Sequence, residues 1–255
     1  MARQYIEAML AMRWPGAIAD SLGAAVASRG PSLCGVCRAW GRGRVCADCL
    51  DRFAARVPRC RRCALPVGAA TAICGACLTM PPAFDAALAA VDYTAPWDRL
   101  VTAFKFHDAL DLAPVFAAAV GAAETHRGAI HPTLLVPVPL APRRLRERDY
   151  NQAWELARRI AHRLGIAAEG ELLLRIRETA HQLALPLAER AANVRGAFAI
   201  EPRRRAEPAG RHVAVVDDVI TTGVTAAEIA AVLKQSGAAT VEVWVLARTP
   251  RPGDA

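Results

Sequence analysis

Aromatic side chains are scarce, at 5% of the 255 residues, so the sequence offers no extended platform on which successive nucleobases would stack. Long apolar runs are missing too. No stretch approaches 18 uncharged apolar residues, and the Ala-rich run over 112–123 is too short and too weakly hydrophobic to cross a bilayer, so no membrane insertion is expected. The first residues, MARQYIEAMLAMRWPG, lack a charged-then-apolar leader, being interrupted at Arg13 and broken at Pro15. The expected location is therefore cytoplasmic, where thiols stay reduced and a disulfide scaffold is not expected. Acidic residues are outnumbered, 24 against 32 Lys and Arg, giving a formal charge of +8. Such a balance suits nucleic acid or a polyphosphate equally and does not choose between them. Neither a heptad array nor a solenoid period is present. With 54% apolar residues, the chain has ample material for one good-sized domain and a smaller one, which excludes disorder as the main state.

No cysteine lies outside residues 34–77, and none is unpaired in spacing: Cys34/Cys37, Cys46/Cys49, Cys60/Cys63 and Cys74/Cys77 form four C-x-x-C pairs. That spacing lets two thiolates converge on one tetrahedral ion from a tight turn, and Zn²⁺ is the usual occupant of a four-sulfur site. Intervals between pairs leave room for a short hairpin each. Neighbouring pairs are therefore expected to share a metal, giving two stacked zinc ribbons, although spacing alone also admits a crossed arrangement. Two structural zincs would staple a segment too small to have its own core. Its arginines (38, 42, 44, 52, 56, 59, 61 and 62), set against Asp48 and Asp51, first suggest a nucleic-acid patch. Each Zn²⁺ with four thiolates carries −2, however, and two such sites leave only a small positive excess. A redox role fits less well, because no βαβ pattern encloses the pairs.

From about 84 onward apolar strands alternate with helical stretches. Strands are expected over 86–92, 133–138, 212–217 and 240–246, and helices over 97–106, 111–124, 150–164 and 223–236. The alternation predicts an α/β fold, a mostly parallel sheet flanked by helices, whose ligands sit beyond the carboxyl ends of the strands. At that place the sequence reads VAVVDDVITTGVT over 213–225. Asp217 and Asp218 repel each other and lose hydration, so hydroxyl donors or a metal must compensate them. Thr221, Thr222, Gly223, Val224 and Thr225 form a short loop entering a helix, where free backbone N–H groups and the helix dipole favour an anion. An acid pair followed by an anion cradle describes a ribose 5-phosphate. The carboxylates would meet the 2- and 3-hydroxyls, and the loop would surround the 5-phosphate.

This stretch resembles the phosphoribosyl-pyrophosphate (PRPP) loop of type I phosphoribosyltransferases. Together with CGVC, CADCL, CRRC, CGACL, PPAFDAALAAVDY, FKFHD, LLVPVPLAPRRLRERDYNQAWELARRIAHRLG, RIRETAHQLALPLAERAANVRGAF and VLARTP, it resembles the ComF family, competence-associated phosphoribosyltransferase-like proteins with an N-terminal zinc ribbon. The resemblance, which covers roughly 34–250 and leaves outside it an N-terminal helical extension expected over 1–30, implies a double zinc ribbon over 31–80 and a phosphoribosyltransferase-like domain over 84–250. It implies PRPP with Mg²⁺ as ligand and assigns the ribose to Asp217 and Asp218. On the pyrophosphate side the candidates are Lys105, Arg144, Arg146 and Arg148, with Asn151 and Gln152 as polar positioners. Arg175, Arg177, Thr179, Gln182, Arg190 and Asn193 fall on the family's mobile lid. Asp149, His181, Ala184 and Val224 depart from the family pattern, the first standing where glycine is usual. No histidine is assigned as a base. Two functions follow from the resemblance: a phosphoribosyltransferase of unnamed acceptor, or a non-catalytic competence factor that binds single-stranded DNA or competence-machinery proteins.

Overall fold

A computed structural model describes residues 31–127, 131–177 and 192–250. The extension expected over 1–30 lies outside the described residues, as do Thr179, Gln182 and Arg190. The cysteine segment contains β1 (Pro31–Leu33), β2 (Trp40–Arg42), α1 (Ala47–Phe53) and α2 (Gly75–Thr79). There follow β3 (Ala86–Asp92), α3 (Trp97–Phe106), α4 (Ala113–Arg127), β4 (Leu134–Pro137), α5 (Pro142–Arg148), α6 (Gln152–Leu164) and β5 (Ala167–Ala168). The remainder is β6 (Leu173–Arg175), β7 (Phe198–Ile200), β8 (His212–Ile220), α7 (Val224–Gln235) and β9 (Thr240–Arg248).

Five strands form one parallel sheet in the order β3-β9-β8-β4-β5. Alternate side chains leave opposite faces of a strand, and the sequence supplies apolar residues for both. Ala87, Ala89, Leu134, Val136, Val213, Val215, Val243 and Val245 pack with Ile229 and Leu233 of α7. Leu88, Leu135, Ala214, Val216, Trp244 and Leu246 pack instead with α3, α4 and α6 through Val101, Phe104, Phe116, Leu156 and Ile160. Residues Ala153, Leu156, Ala157, Ile160 and Ala161 of α6 are buried, the one-sided spacing of a helix lying on a sheet. Asn151 caps that helix, its side-chain oxygen accepting from the N–H groups of Ala153 and Trp154, and Gly165 ends it at φ 67°.

This topology places the cleft. The connection from β4 to β5 carries α6 over one face, while that from β8 to α7 and β9 crosses the other. The loops leaving β4 and β8 therefore part in opposite directions, opening a crevice between neighbouring strands at their carboxyl ends.

Both cysteine groups assemble from neighbouring pairs. The sulfurs of Cys34, Cys37, Cys46 and Cys49 lie within 4.8 Å of one another, and so do those of Cys60, Cys63, Cys74 and Cys77. The Cys37–Cys46 and Cys63–Cys74 sulfur separations are 3.7 and 3.6 Å, close to the roughly 3.8 Å that tetrahedral Zn–S bonds of about 2.3 Å imply. The hairpins do not fill the intervals between pairs as expected but enclose the first C-x-x-C of each unit: β1 and β2 flank Cys34 and Cys37, and an antiparallel bridge from Arg59 to Pro66 flanks Cys60 and Cys63. In both units the second C-x-x-C wraps the start of a short helix, with Cys46 and Cys74 as N-caps, because residues three apart share one helix face. Backbone N–H groups of Val36 and Cys46 point at Cys34 Sγ, and that of Cys74 at Cys60 Sγ, 3.2 Å away. Burial works to raise the Cys34 and Cys60 pKa values, but backbone donors outweigh it and bring them down to about 6 and about 7, which favours one thiolate in each group, whereas burial and the neighbouring sulfurs push Cys49 and Cys77 up.

The units attach to the sheet by separate contacts. In the first, Cys34, Val45 and Cys49 join the core around Trp97 and Leu100, and a Cβ on Gly35 would lie 3.0 Å from Leu100 Cδ2. Trp97 Nε1 also donates to the Phe53 carbonyl at 2.7 Å. From the second unit, the Arg61 carbonyl accepts from Ala87 N–H of edge strand β3, and Arg59 pairs with Asp92 at 2.7 Å. Metal analysis of the purified full chain is expected to find two zinc ions per molecule, and one or none would contradict this cysteine grouping.

Candidate active site

Strand β8 does not stop at the acid pair. It continues to Ile220, because β9 runs on to Arg248 and supplies ladder partners for Asp217, Val219 and Ile220. On its other side β8 loses its neighbour after Val216, where β4 ends at Pro137. Asp217 and Asp218 therefore stand where the sheet is open on the β4 side. Asp218 is buried, Asp217 is partly so, and the N–H of Asp218 donates to Asp217 Oδ1 at 2.9 Å. Lys105 Nζ reaches Asp218 Oδ1 at 2.8 Å. Burial foremost, then the Asp218 charge, pushes Asp217 up to about 7, against the opposing pull of Lys105. For Lys105 burial acts to lower the pKa, but the adjacent Asp218 prevails and the ammonium is held above its ordinary value.

The strand turns into α7 through Thr221, Thr222 and Gly223. Gly223 has φ 81°, a left-handed conformation that glycine adopts without penalty, and a Cβ there would meet Ile220 and the Phe84 ring at 3.5 and 3.6 Å. Among the described residues no side chain caps the helix, and its first residues, Val224, Thr225 and Ala226, line the crevice, where a helix start is the usual cradle for an anion. Val224 is the first helical residue.

Acid pair and loop line one open cleft of about 250 Å³, together with Lys105, Arg144, Arg148, Asn151, Gln152 and Arg175. Several candidates stand differently from the sequence expectation. Lys105, expected on the pyrophosphate side, faces the acid pair, because α3 delivers it across the carboxyl end of the sheet. Arg146 is exposed and is not among the cleft-lining residues, since α5 turns only one side inward. The Asn151 side chain is engaged as the α6 cap and also donates to the Val138 carbonyl, which makes it a structural brace. Gln152 Oε1 accepts from Arg148 Nη1 at 3.1 Å, and Arg148 lies over the Phe106 ring, 4.6 Å from its centre. Burial holds the Arg148 pKa below its usual value. Asp149 takes φ 57° at the end of α5, which explains why glycine suits that position; its side chain is exposed and lies outside the cleft lining.

Of the lid candidates, Arg175 ends β6, is 7% exposed and stacks on Phe198 of β7. Arg177 donates to the carbonyls of Asn193 and Arg195, tying the residues that follow β6 to those that precede β7. Tyr93 and Phe106, both lining the cleft, went unassigned in the sequence; an aromatic just after a strand and another at a helix end were the available signals. Arg248 also went unassigned; its signal was a lone cation ending an apolar strand.

Because the raised Asp217 pKa belongs to the folded state, its contribution to stability is complete below the unfolded carboxyl range near 4 and is lost as pH rises through about 7. Asp217→Asn removes that loss. Its melting temperature is expected to exceed that of the ligand-free parent by about 3 °C or more at pH 8, with the gap shrinking at pH 5. A gap independent of pH, followed by calorimetry, would show that Asp217 is not strained by ionisation.

Residues 153–254 match the phosphoribosyl transferase domain family, a span that includes the acid pair and loop. The chain is 38% identical over 229 residues to DNA utilization protein YhgH of Salmonella typhi, covering 86% of this chain and 98% of that protein. It is 32% identical over 209 residues to Competence protein F of Haemophilus influenzae, covering 80% of this chain and 90% of the other. Among solved structures, the glutamine PRPP amidotransferase of B. subtilis, complexed with ADP and GMP, aligns with 51% of this chain and 25% of its own at 24% identity, with a TM-score of 0.34. Nearly full-length coverage of YhgH-type relatives, with a phosphoribosyltransferase-type domain preceded by two four-cysteine groups, places this chain in the ComF family.

Proposed function

We propose that the cleft binds PRPP with Mg²⁺ and that the protein transfers its phosphoribosyl group to a nucleophilic acceptor. The observation that carries this reading is the convergence, in one cleft, of an acid pair, the N-terminal residues of α7 and the arginines Arg144, Arg148 and Arg175. Asp217 and Asp218 accept hydrogen bonds from the ribose 2- and 3-hydroxyls. Those donors favour the carboxylates and offset the repulsion between them. The 5-phosphate lies against the N–H groups of Thr222 to Thr225, with threonine hydroxyls as further donors. Arg144 and Arg148 are permanently charged and planar, as a diphosphate requires.

In the reaction an acceptor lone pair forms a bond to ribose C1, and the C1–O bond breaks with its electron pair leaving on pyrophosphate. Hard oxygen donors from the diphosphate and the acid pair suit Mg²⁺, which when bound neutralises the departing charge. Asp217→Asn combined with Asp218→Asn is expected to abolish Mg·PRPP binding in calorimetric titration while leaving the fold intact by circular dichroism; unchanged affinity would falsify the ribose assignment. Pyrophosphate release across a panel of nucleobases and nucleotides tests the transfer itself.

A second reading, a non-catalytic factor that binds single-stranded DNA and uses PRPP as an effector, draws on the names of the relatives and on one surface feature. Trp40 is 75% exposed on β2, flanked by exposed Arg38 and Arg42. One ring between two cations is a minimal stacking site. If it serves DNA, oligonucleotide affinity measured by fluorescence anisotropy falls steeply between 50 and 200 mM salt through counterion release and weakens in Trp40→Ala. A flat salt response counts against it.

A further inference from the structure

Arg248 closes β9, is only 7% exposed, and joins two parts of the chain that are distant in sequence. Its Nε donates to the carbonyl of Cys63 at 2.9 Å, inside the C-x-x-C turn of the second cysteine unit. Its Nη1 donates to the carbonyls of Ile220 at 3.1 Å, Thr249 at 2.8 Å and Thr221. Ile220 is the last residue of β8 and Thr221 the first of the loop. The guanidinium is planar with its donors in a fixed fork, so the direction of Nε–H dictates that of the Nη1 hydrogens. The backbone is fixed as well, since Arg248 pairs with Ile220 across the ladder.

Packing reinforces the junction. Ala64, next to Cys63, is fully buried in the same core as Phe84 and Ile220, and the Phe84 ring backs Gly223. The first cysteine unit is fastened elsewhere, by the Arg44–Asp111 pair and by Trp97 in the core on the other face of the sheet.

We propose that Arg248 is a positioning residue that couples the second cysteine unit to the phosphate loop. A metal-ordered Cys60–Cys63 turn fixes the guanidinium, the guanidinium fixes the Ile220 and Thr221 carbonyls, and their orientation aims the N–H groups that follow. Linkage makes the coupling reciprocal: a ligand that orders the loop must also stiffen the turn. The ligand half rests on the PRPP reading above; the ligand-free half does not.

Hydrogen exchange by mass spectrometry on the zinc-loaded full chain tests both. Without ligand, Arg248→Met is expected to speed exchange at 60–66 and 219–225 by about tenfold or more, with two zinc ions retained and 34–49 unaffected. With Mg·PRPP the parent slows exchange in both segments, whereas Arg248→Met loses the effect at 60–66. Arg248→Lys keeps the charge but not the fork; it restores the loop without restoring the ligand's effect on the turn. A purely structural role would not separate these two readouts. If Arg248→Met does not fold, Arg248→Lys decides alone. Unchanged exchange in ligand-free Arg248→Met, or a ligand effect at 60–66 that survives either substitution, overturns the coupling. If Mg·PRPP protects nothing in the parent, the PRPP reading fails while the ligand-free comparison still decides the role of Arg248.

Discussion

Two carboxylates on consecutive residues, at the rim of a sheet where one neighbouring strand has ended, repel each other in a poorly hydrated place. Much of the surrounding architecture answers that constraint. Strand β9 runs on beside them and keeps their backbone in register, α3 brings Lys105 to one of them, and the loop behind them opens onto a helix start rather than onto another acid. The ammonium reduces the repulsion without abolishing it, since Asp217 is still driven toward neutrality. A site kept under that tension is primed for hydroxyl donors, which relieve it, and the cations of α5 and β6 offer the opposite field to a phosphate.

Much of this was legible in residue order. Buried strands that read as apolar runs, and helices with one apolar stripe, gave β3 and α3 their boundaries from pattern alone. The cysteine grouping was legible because C-x-x-C spacing is a geometric statement. What escaped was of a different kind. The continuation of β8 through two aspartates contradicts strand propensity and depends on β9, a partner much later in the chain. The side on which Lys105 emerges depends on how α3 crosses the sheet. The burial of Arg248 depends on carbonyls contributed by three separate segments. Composition names the donors, but only the fold says which acceptors they meet.

Asn151 and Asp149 show the same limit in miniature. Both sit in a stretch whose charge and polarity suggest ligand contact. In the fold, one satisfies helix N–H groups and the other occupies a left-handed turn. Both act on the backbone that joins α5 to α6, one as the turn that ends the first helix and the other as the cap that starts the second.

The strand order also bears on how the molecule is made. β3, which follows directly on the cysteine units, pairs only with β9, the last strand described. During synthesis β3 must wait on the ribosome for a partner separated from it by most of the chain, a delay that leaves an apolar edge open to neighbouring nascent chains. A metal-stapled knuckle that folds from local contacts and holds the Arg61 carbonyl against Ala87 covers the opposite edge of β3, the one that β9 leaves open in the finished sheet, so the strand has a single side left on which to await its partner.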